Sequence, residues 1–174
     1  IFTSDNGPAK GSAGPLKGKK GSTNEGGMRE PTVIRWPGKI AAGKPNDELM
    51  TAMDLLPTFA KLAGAKVPTD RVIDGRDIWP TLSAGAPTPH EAFFYHAGDE
   101  LQAVRAGNWK LHVTKDKPVA LFDVKNDVGE SKNVLKDHPE IEKQLSEHIA
   151  TFAKDIAGNS RPAALVKDPK PLSN

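Results

Sequence analysis

Asp5 and Asn6 follow the apolar pair Ile1-Phe2 and precede Gly7-Pro8, so a carboxylate and an amide carbonyl stand side by side where a short strand breaks into a turn. Hard oxygen donors of this kind suit Ca²⁺ or Mg²⁺, and the carboxyl ends of strands are where open α/β sheets bind ligands. The same pair also makes an ordinary Asx turn. A second candidate lies just beyond. Residues 7–27 hold seven glycines and a single large apolar residue, Leu16, together with Lys10, Lys17, Lys19 and Lys20. Such a stretch cannot offset its ordering entropy by burying its own side chains, so something else must hold it. Residues 1–45 carry eight Lys/Arg against three acidic residues, a net +5, and the remainder is net −3. That asymmetry suggests an anionic ligand near the first quarter, or a solvated flexible face. His96 is the third candidate, placed to touch a substrate hydroxyl or to stand as a strand-end surface histidine.

Several other chemistries fail on spacing. Gly18-Lys19-Lys20 has Ala13 where a phosphate loop needs glycine, and Lys20 occupies the Ser/Thr slot. His90-Glu91 is followed by Phe94 where a zinc helix needs its second histidine, and no serine nucleophile elbow occurs. With no Cys in 174 residues, disulfides, zinc-thiolate sites and cysteine nucleophiles are excluded within the chain. No apolar run approaches the roughly 18 residues of a membrane span. The composition, 37% hydrophobic and 26% charged, suits one medium domain or two small ones. The chain opens on Ile1 rather than Met and has no signal-peptide pattern, so it is expected to be part of something longer.

The elements that must position these residues follow from the pattern. Ile1–Ser4 ends one strand, and Pro31–Trp36 is a second that Pro37-Gly38 stops. A short extended piece is expected over Glu48–Met53, then a helix capped by Asp54, running to about Ala63 and stopped by Gly64. A Pro- and Gly-containing connection follows, with a boundary between lobes near residues 84–91. Strands are expected over Ala92–His96, Gln102–Ala106, Trp109–Thr114 and Ala120–Val124, with a hairpin turn at Gly107-Asn108. Asp137 with Glu140 has the capping-box spacing. Ile141, Leu145, Ile149, Phe152 and Ile156 then form one apolar stripe that Gly158 ends. Trp36, Trp79 and Trp109 are expected in packing rather than as sugar platforms. An extended tail over 159–174 completes the chain.

Taken together, the first forty residues are far more specific than any one piece. Ile1–Pro8, Leu16–Pro31 with its Lys20-Gly21-Ser22-Thr23 and Glu25-Gly26-Gly27-Met28-Arg29-Glu30-Pro31, and Arg35-Trp36-Pro37-Gly38 resemble the arylsulfatase-type sulfatases. Asp54-Leu55-Leu56-Pro57-Thr58, Asp74-Gly75-Arg76-Asp77, Ala103–Leu111 and Leu121-Phe122-Asp123-Val124 fit the same family in the same order. The resemblance reaches to about residue 156. It implies an α/β fold: residues 1–88 as the C-terminal part of an alkaline-phosphatase-like sulfatase domain, and 89–158 as a small antiparallel sheet with a C-terminal helix.

The resemblance also implies roles. Asp5 and Asn6 correspond to the second pair of calcium ligands, with Asp5 also near the formylglycine hydrate. Lys20 corresponds to the lysine that touches the sulfate, where an ammonium offsets developing charge. Lys17 and Lys19 are expected to be solvated, and Glu25 and Arg29 to brace the loop. His96 lies where the family's small domain borders the substrate cleft, whereas Arg105 and His112 look like framework. The formylglycine would be made from a C/S-x-P-x-R motif that this chain lacks, and the other metal ligands would lie upstream too. The implied partners are a sulfated small molecule or saccharide and the upstream part of the same protein, with no nucleic acid and no membrane span. The implied location is periplasmic or secreted. Two alternatives stand beside this reading: a phosphonate or phosphodiester hydrolase of the same superfamily, and a non-catalytic calcium- or polyanion-binding module.

Overall fold

Alternation with a period of two from Phe93 onward produces a four-stranded antiparallel meander. In a computed structural model that describes residues 1–159, its strands are β1 (Phe93–Ala97), β2 (Glu100–Ala106), β3 (Trp109–Thr114) and β4 (Lys117–Asp123), in that spatial order. Gly107, at φ 55°, takes the left-handed conformation that the tight β2–β3 turn requires. The expected strands are present with shifted ends: β1 continues to Ala97, β2 starts at Glu100, and β4 starts at Lys117 and stops one residue before Val124. His96 is therefore inside its strand, at a bulge between Tyr95 and His96, rather than at the strand end.

The register sorts the side chains onto two faces. Val104, Leu111, Val113 and Leu121 point to one face and bury against Leu145 and Ile149 of a long helix over Pro139–Asn159. Each such buried aliphatic contributes about 1.5–3 kcal/mol relative to exposure. Phe152 extends this packing by stacking on Phe94, with centroids 3.9 Å apart. Two expectations are corrected. The helix begins at Pro139, a residue suited to a first turn, so Asp137 is not its cap. Ile156 is 50% exposed and lies outside the buried stripe, and the helix runs past Gly158 to the last described residue. The expected tail, beyond Asn159, lies outside the described residues.

Residues 1–92 hold three short helices: α1 (Glu25–Met28), α2 (Leu55–Leu62) and α3 (Trp79–Ala84); the long one is α4. The strand expected over Pro31–Trp36 is reduced to one antiparallel bridge, Phe2 with Val33. Glu48–Met53 forms no strand, and a 3₁₀ turn covers Ala52–Asp54. Asp54 does precede α2, but its carboxylate does not cap that helix. Fully buried, it accepts the N–H groups of Thr51 and Arg76 at 2.7 Å and lies 2.8 Å from His90 Nε2. Thr58 adds a bond from the Ile78 N–H, so two of the motif pieces read in the sequence meet as one knot that ties α2 to residues 76–78 and His90.

Candidate active site

The Gly-rich segment is ordered by its own backbone. Gly26 N–H donates to Lys17 C=O at 2.7 Å and Ser22 N–H to Lys19 C=O at 2.9 Å, folding residues 17–22 against α1. A side chain on Gly26 or Gly27 would collide with the carbonyls of Lys17, Gly18, Lys19 and Ser22, so this approach requires glycine. The Asp5–Pro8 turn docks on the same helix through Gly7 N–H to Gly27 C=O at 3.2 Å, and Lys20 N–H returns to Pro8 C=O at 3.2 Å. One turn of helix thus registers the Asp5-Asn6 turn and the Lys20 loop against each other.

Beside it lies an open depression of about 720 Å³ lined by Asp5, Asn6, Ser12, Arg29 and Glu30 among others. Asp5 is exposed, and among the described residues neither its carboxylate nor the Asn6 amide has a side-chain hydrogen bond. Burial, and then the nearby Asp5 charge, raise the Glu30 carboxyl, and Glu30 Oε1 is buried without a partner. Unsatisfied hard oxygens with excess negative charge fit a hard cation. They fit it as part of a donor set, because among the described residues no three His, Asp or Glu are placed to hold a metal ion. The Lys20 ammonium is exposed and has no partner among the described residues.

The second face of the sheet packs against the start of α1. Lys110, which the alternation of β3 would put toward water, is fully buried. Its Nζ donates to Thr23 C=O at 2.7 Å and Glu25 Oε1 at 2.8 Å, lies 3.3 Å from Glu130 Oε1, and sits 4.3 Å above the Tyr95 ring. Glu130 accepts the Glu25 N–H at 2.8 Å and lies 2.6 Å from His112 Nε2. Burial alone would raise the Glu130 carboxyl, but His112, Lys110 and the Glu25 N–H hold it down at about 2. Arg29 and Arg105 each lie 3.8 Å from Glu25 Oε2, and Thr23 Oγ1 reaches Gln102.

The profile of the family described as N-sulphoglucosamine sulphohydrolase, C-terminal, matches residues 19–155. This chain belongs to the sulfatase family. It is 47% identical to mouse N-acetylgalactosamine-6-sulfatase over 120 residues, covering 65% of this chain and 23% of that protein. It is 39% identical to bovine arylsulfatase A, covering 81% of this chain and 34% of that protein. Among solved structures, Ps i-CgsB in complex with k-i-k-neocarrahexaose matches 93% of this chain and 37% of its own, at 34% identity and a TM-score of 0.76. The sulfatase chain therefore spans about a quarter to a third of the length of the curated relatives it matches.

Of the residues singled out in the sequence, Asp5 and Asn6 line the depression, and Lys20, which does not line it, is tied to their turn through its N–H to Pro8 C=O. His96 does not join them. It is exposed on β1, 5.7 Å from the Phe152 ring of α4, and does not line the depression. Glu25 braces the loop as the resemblance implied, but Lys17 is not simply solvated: its Nζ donates to Glu130 C=O at 3.3 Å and lies over Phe122. Lys110 and Glu130 were missed. A signal existed, because Tyr95, Ala103 and Phe122 share the face that carries Arg105, Lys110 and His112, and an apolar-studded polar face is one that something covers.

Proposed function

We propose that the full-length protein hydrolyses sulfate esters, with this chain supplying Asp5 and Asn6 as part of a calcium site and Lys20 as the contact to the sulfate. The supporting observation is the registration of the Asp5–Pro8 turn and the Lys20 loop on one helix, beside an open depression, in a chain of the sulfatase family. Asp5 and Asn6 would hold the calcium ion together with ligands from elsewhere in the protein, and its chemistry there would be Lewis-acid polarisation of the sulfate oxygens. The nucleophile, a formylglycine on this reading, belongs to the part of the protein upstream of Ile1. What this chain does is electrostatic. Asp5 and Asn6 would present hard oxygens to the cation, and Lys20, tied to their turn through its N–H to Pro8 C=O, would bring an exposed ammonium to the charge that grows on the sulfuryl and leaving oxygens.

A sulfated saccharide is the substrate class we favour. The name of the mouse relative, an N-acetylgalactosamine-6-sulfatase, and the neocarrahexaose complex of a structural neighbour support it, as does the openness of the depression. The test is sulfate release by the full-length protein from a small aryl sulfate and from sulfated saccharides. Turnover lost in Lys20→Ala is the expected result. Preference for a phosphodiester or phosphonate, or salt-labile polyanion binding without turnover, overturns the proposal.

A further inference from the structure

The buried charges beneath α1 play no part in that chemistry, yet their arrangement is specific. Lys110 is the second residue of β3, and the two groups it donates to are 85 and 87 residues earlier in the chain. The ammonium donates to two acceptors, Thr23 C=O and Glu25 Oε1, pairs by charge with Glu130 Oε1 at 3.3 Å, and lies over the Tyr95 ring. A buried ion cluster is weak evidence for stability, since well-packed apolar residues of the same volume often do as well. What apolar residues cannot do is fix direction. Thr23 C=O and Glu25 flank the start of α1, and α1 meets the Lys17–Ser22 backbone and the Gly7 turn through bare glycine. A displacement of Glu25 is therefore passed on to Lys20 and to Asp5-Asn6 with no side chain between to absorb it.

We propose that Lys110 is a positioning residue: through Glu25 and Thr23 it sets where Lys20 and the Asp5-Asn6 turn stand relative to the sulfate group. This rests on the sulfatase reading above. Small displacements of positioned groups can cost up to about 10²-fold in rate, and these groups act on charge that develops in the transition state, so kcat should fall while KM holds.

The experiment uses the full-length protein, with kcat and KM for a small aryl sulfate and amide hydrogen exchange over residues 16–29. Lys110→Met should lose about tenfold or more in kcat with KM changed by less than about threefold, and should exchange faster over 16–29 while α4 keeps its protection. Leu145→Ala, which lightens the opposite face of the same sheet, should lower Tm yet leave kcat and the 16–29 exchange near wild type well below melting. Should Lys110→Met fail to fold, Glu25→Gln keeps the shape and an acceptor for Lys110, and should show the same pattern more weakly. Wild-type kcat or wild-type exchange over 16–29 in the folded variant overturns the proposal. So does a loss of activity that only tracks the folded fraction. If the wild-type protein releases no sulfate from any ester, the sulfatase reading fails, and the exchange over 16–29 alone decides whether Lys110 holds the loop.

Discussion

Residues 93–159 bury their apolar side chains against one another, with Val104, Leu111 and Leu121 wholly covered by α4. Residues 1–62 do the reverse. Phe2 is 76% exposed, Val33 63% and Leu56 54%, while the buried groups of the Gly-rich segment are Thr23, Glu25 and three glycines, Gly7, Gly26 and Gly27. The first region has a core and the second has a backbone scaffold. A scaffold of that kind draws little hydrophobic stabilisation from its own side chains, so its shape depends on what it leans against: the Lys110–Glu25–Glu130 cluster on one side. The same deficiency leaves Asp5, Asn6 and Lys20 unpaired and available for chemistry, whereas in the sheet region polar side chains such as Lys110 and Glu130 are already satisfied by protein. On the proposed reading, chemistry and stability are divided between the two regions.

The sharpest way to break that division is at Asp5. In the full-length protein Asp5→Ala should cut kcat by more than about 10³-fold, exceeding the 10²–10³ typical of one lost oxyanion contact because a cation is lost with it. Tm in the presence of chelator should barely move, since the Asp5 side chain is exposed and makes no hydrogen bond among the described residues. A large drop in Tm under those conditions would make Asp5 a structural residue.

Next comes the lysine triplet. Lys20→Ala should cost about 10²–10³ in kcat. Lys19→Ala should cost little, because Lys20 alone of the pair is pinned by its N–H to Pro8 beside the depression. Lys17→Ala should fall between them and act on loop order, through its lost bond to Glu130 C=O. Equal losses at all three, measured as kcat/KM against salt, would replace the positioned ammonium with a diffuse basic patch.

These contrasts track what the sequence made legible. The strands and α4 could be read because apolar spacing is local, and packing rewards it where it stands. The Asp5-Asn6 turn and Lys20 were readable as types, and their specificity came from the resemblance of the whole segment. The conformation of residues 7–27 could not be read, because it is decided by contacts such as Glu25 with Lys110, 85 residues away, that no local window contains. Lys110 was not singled out, since a lysine in an alternating strand signals solvent until the covering layer is known. His96 was placed by the expected end of a strand, and a bulge carried that strand one residue further.

The joint between the regions can be tested with pH. The Glu130 carboxyl, held at about 2 against 4.5 when unperturbed, contributes stability that is fully present above pH 4.5 and is lost as pH falls from 4.5 toward 2. The whole contribution is on the order of 3 kcal/mol. Melting or urea unfolding of the wild type between pH 5 and about 2 should show this loss, and in Glu130→Gln the profile should be flatter across the same window. Parallel profiles would mean that the clamp does not depend on the Glu130 charge.

The smallest effect is expected at His96, and it asks whether the sheet region touches substrate at all. His96 is exposed on the edge strand β1, near Phe152 and away from α1. Any contact it makes must therefore be with a part of the substrate that projects well beyond the sulfate. A small aryl sulfate has no such part, and a sulfated oligosaccharide has. His96→Ala should then raise KM for the oligosaccharide by about fivefold, the worth of one hydrogen bond of roughly 1 kcal/mol, and leave both kcat and KM for the aryl sulfate unchanged. The comparison needs one full-length enzyme, both substrates and one pH. Equal effects on the two substrates, or none on either, would confine substrate contact to the Gly-rich region and leave the sheet region as support alone.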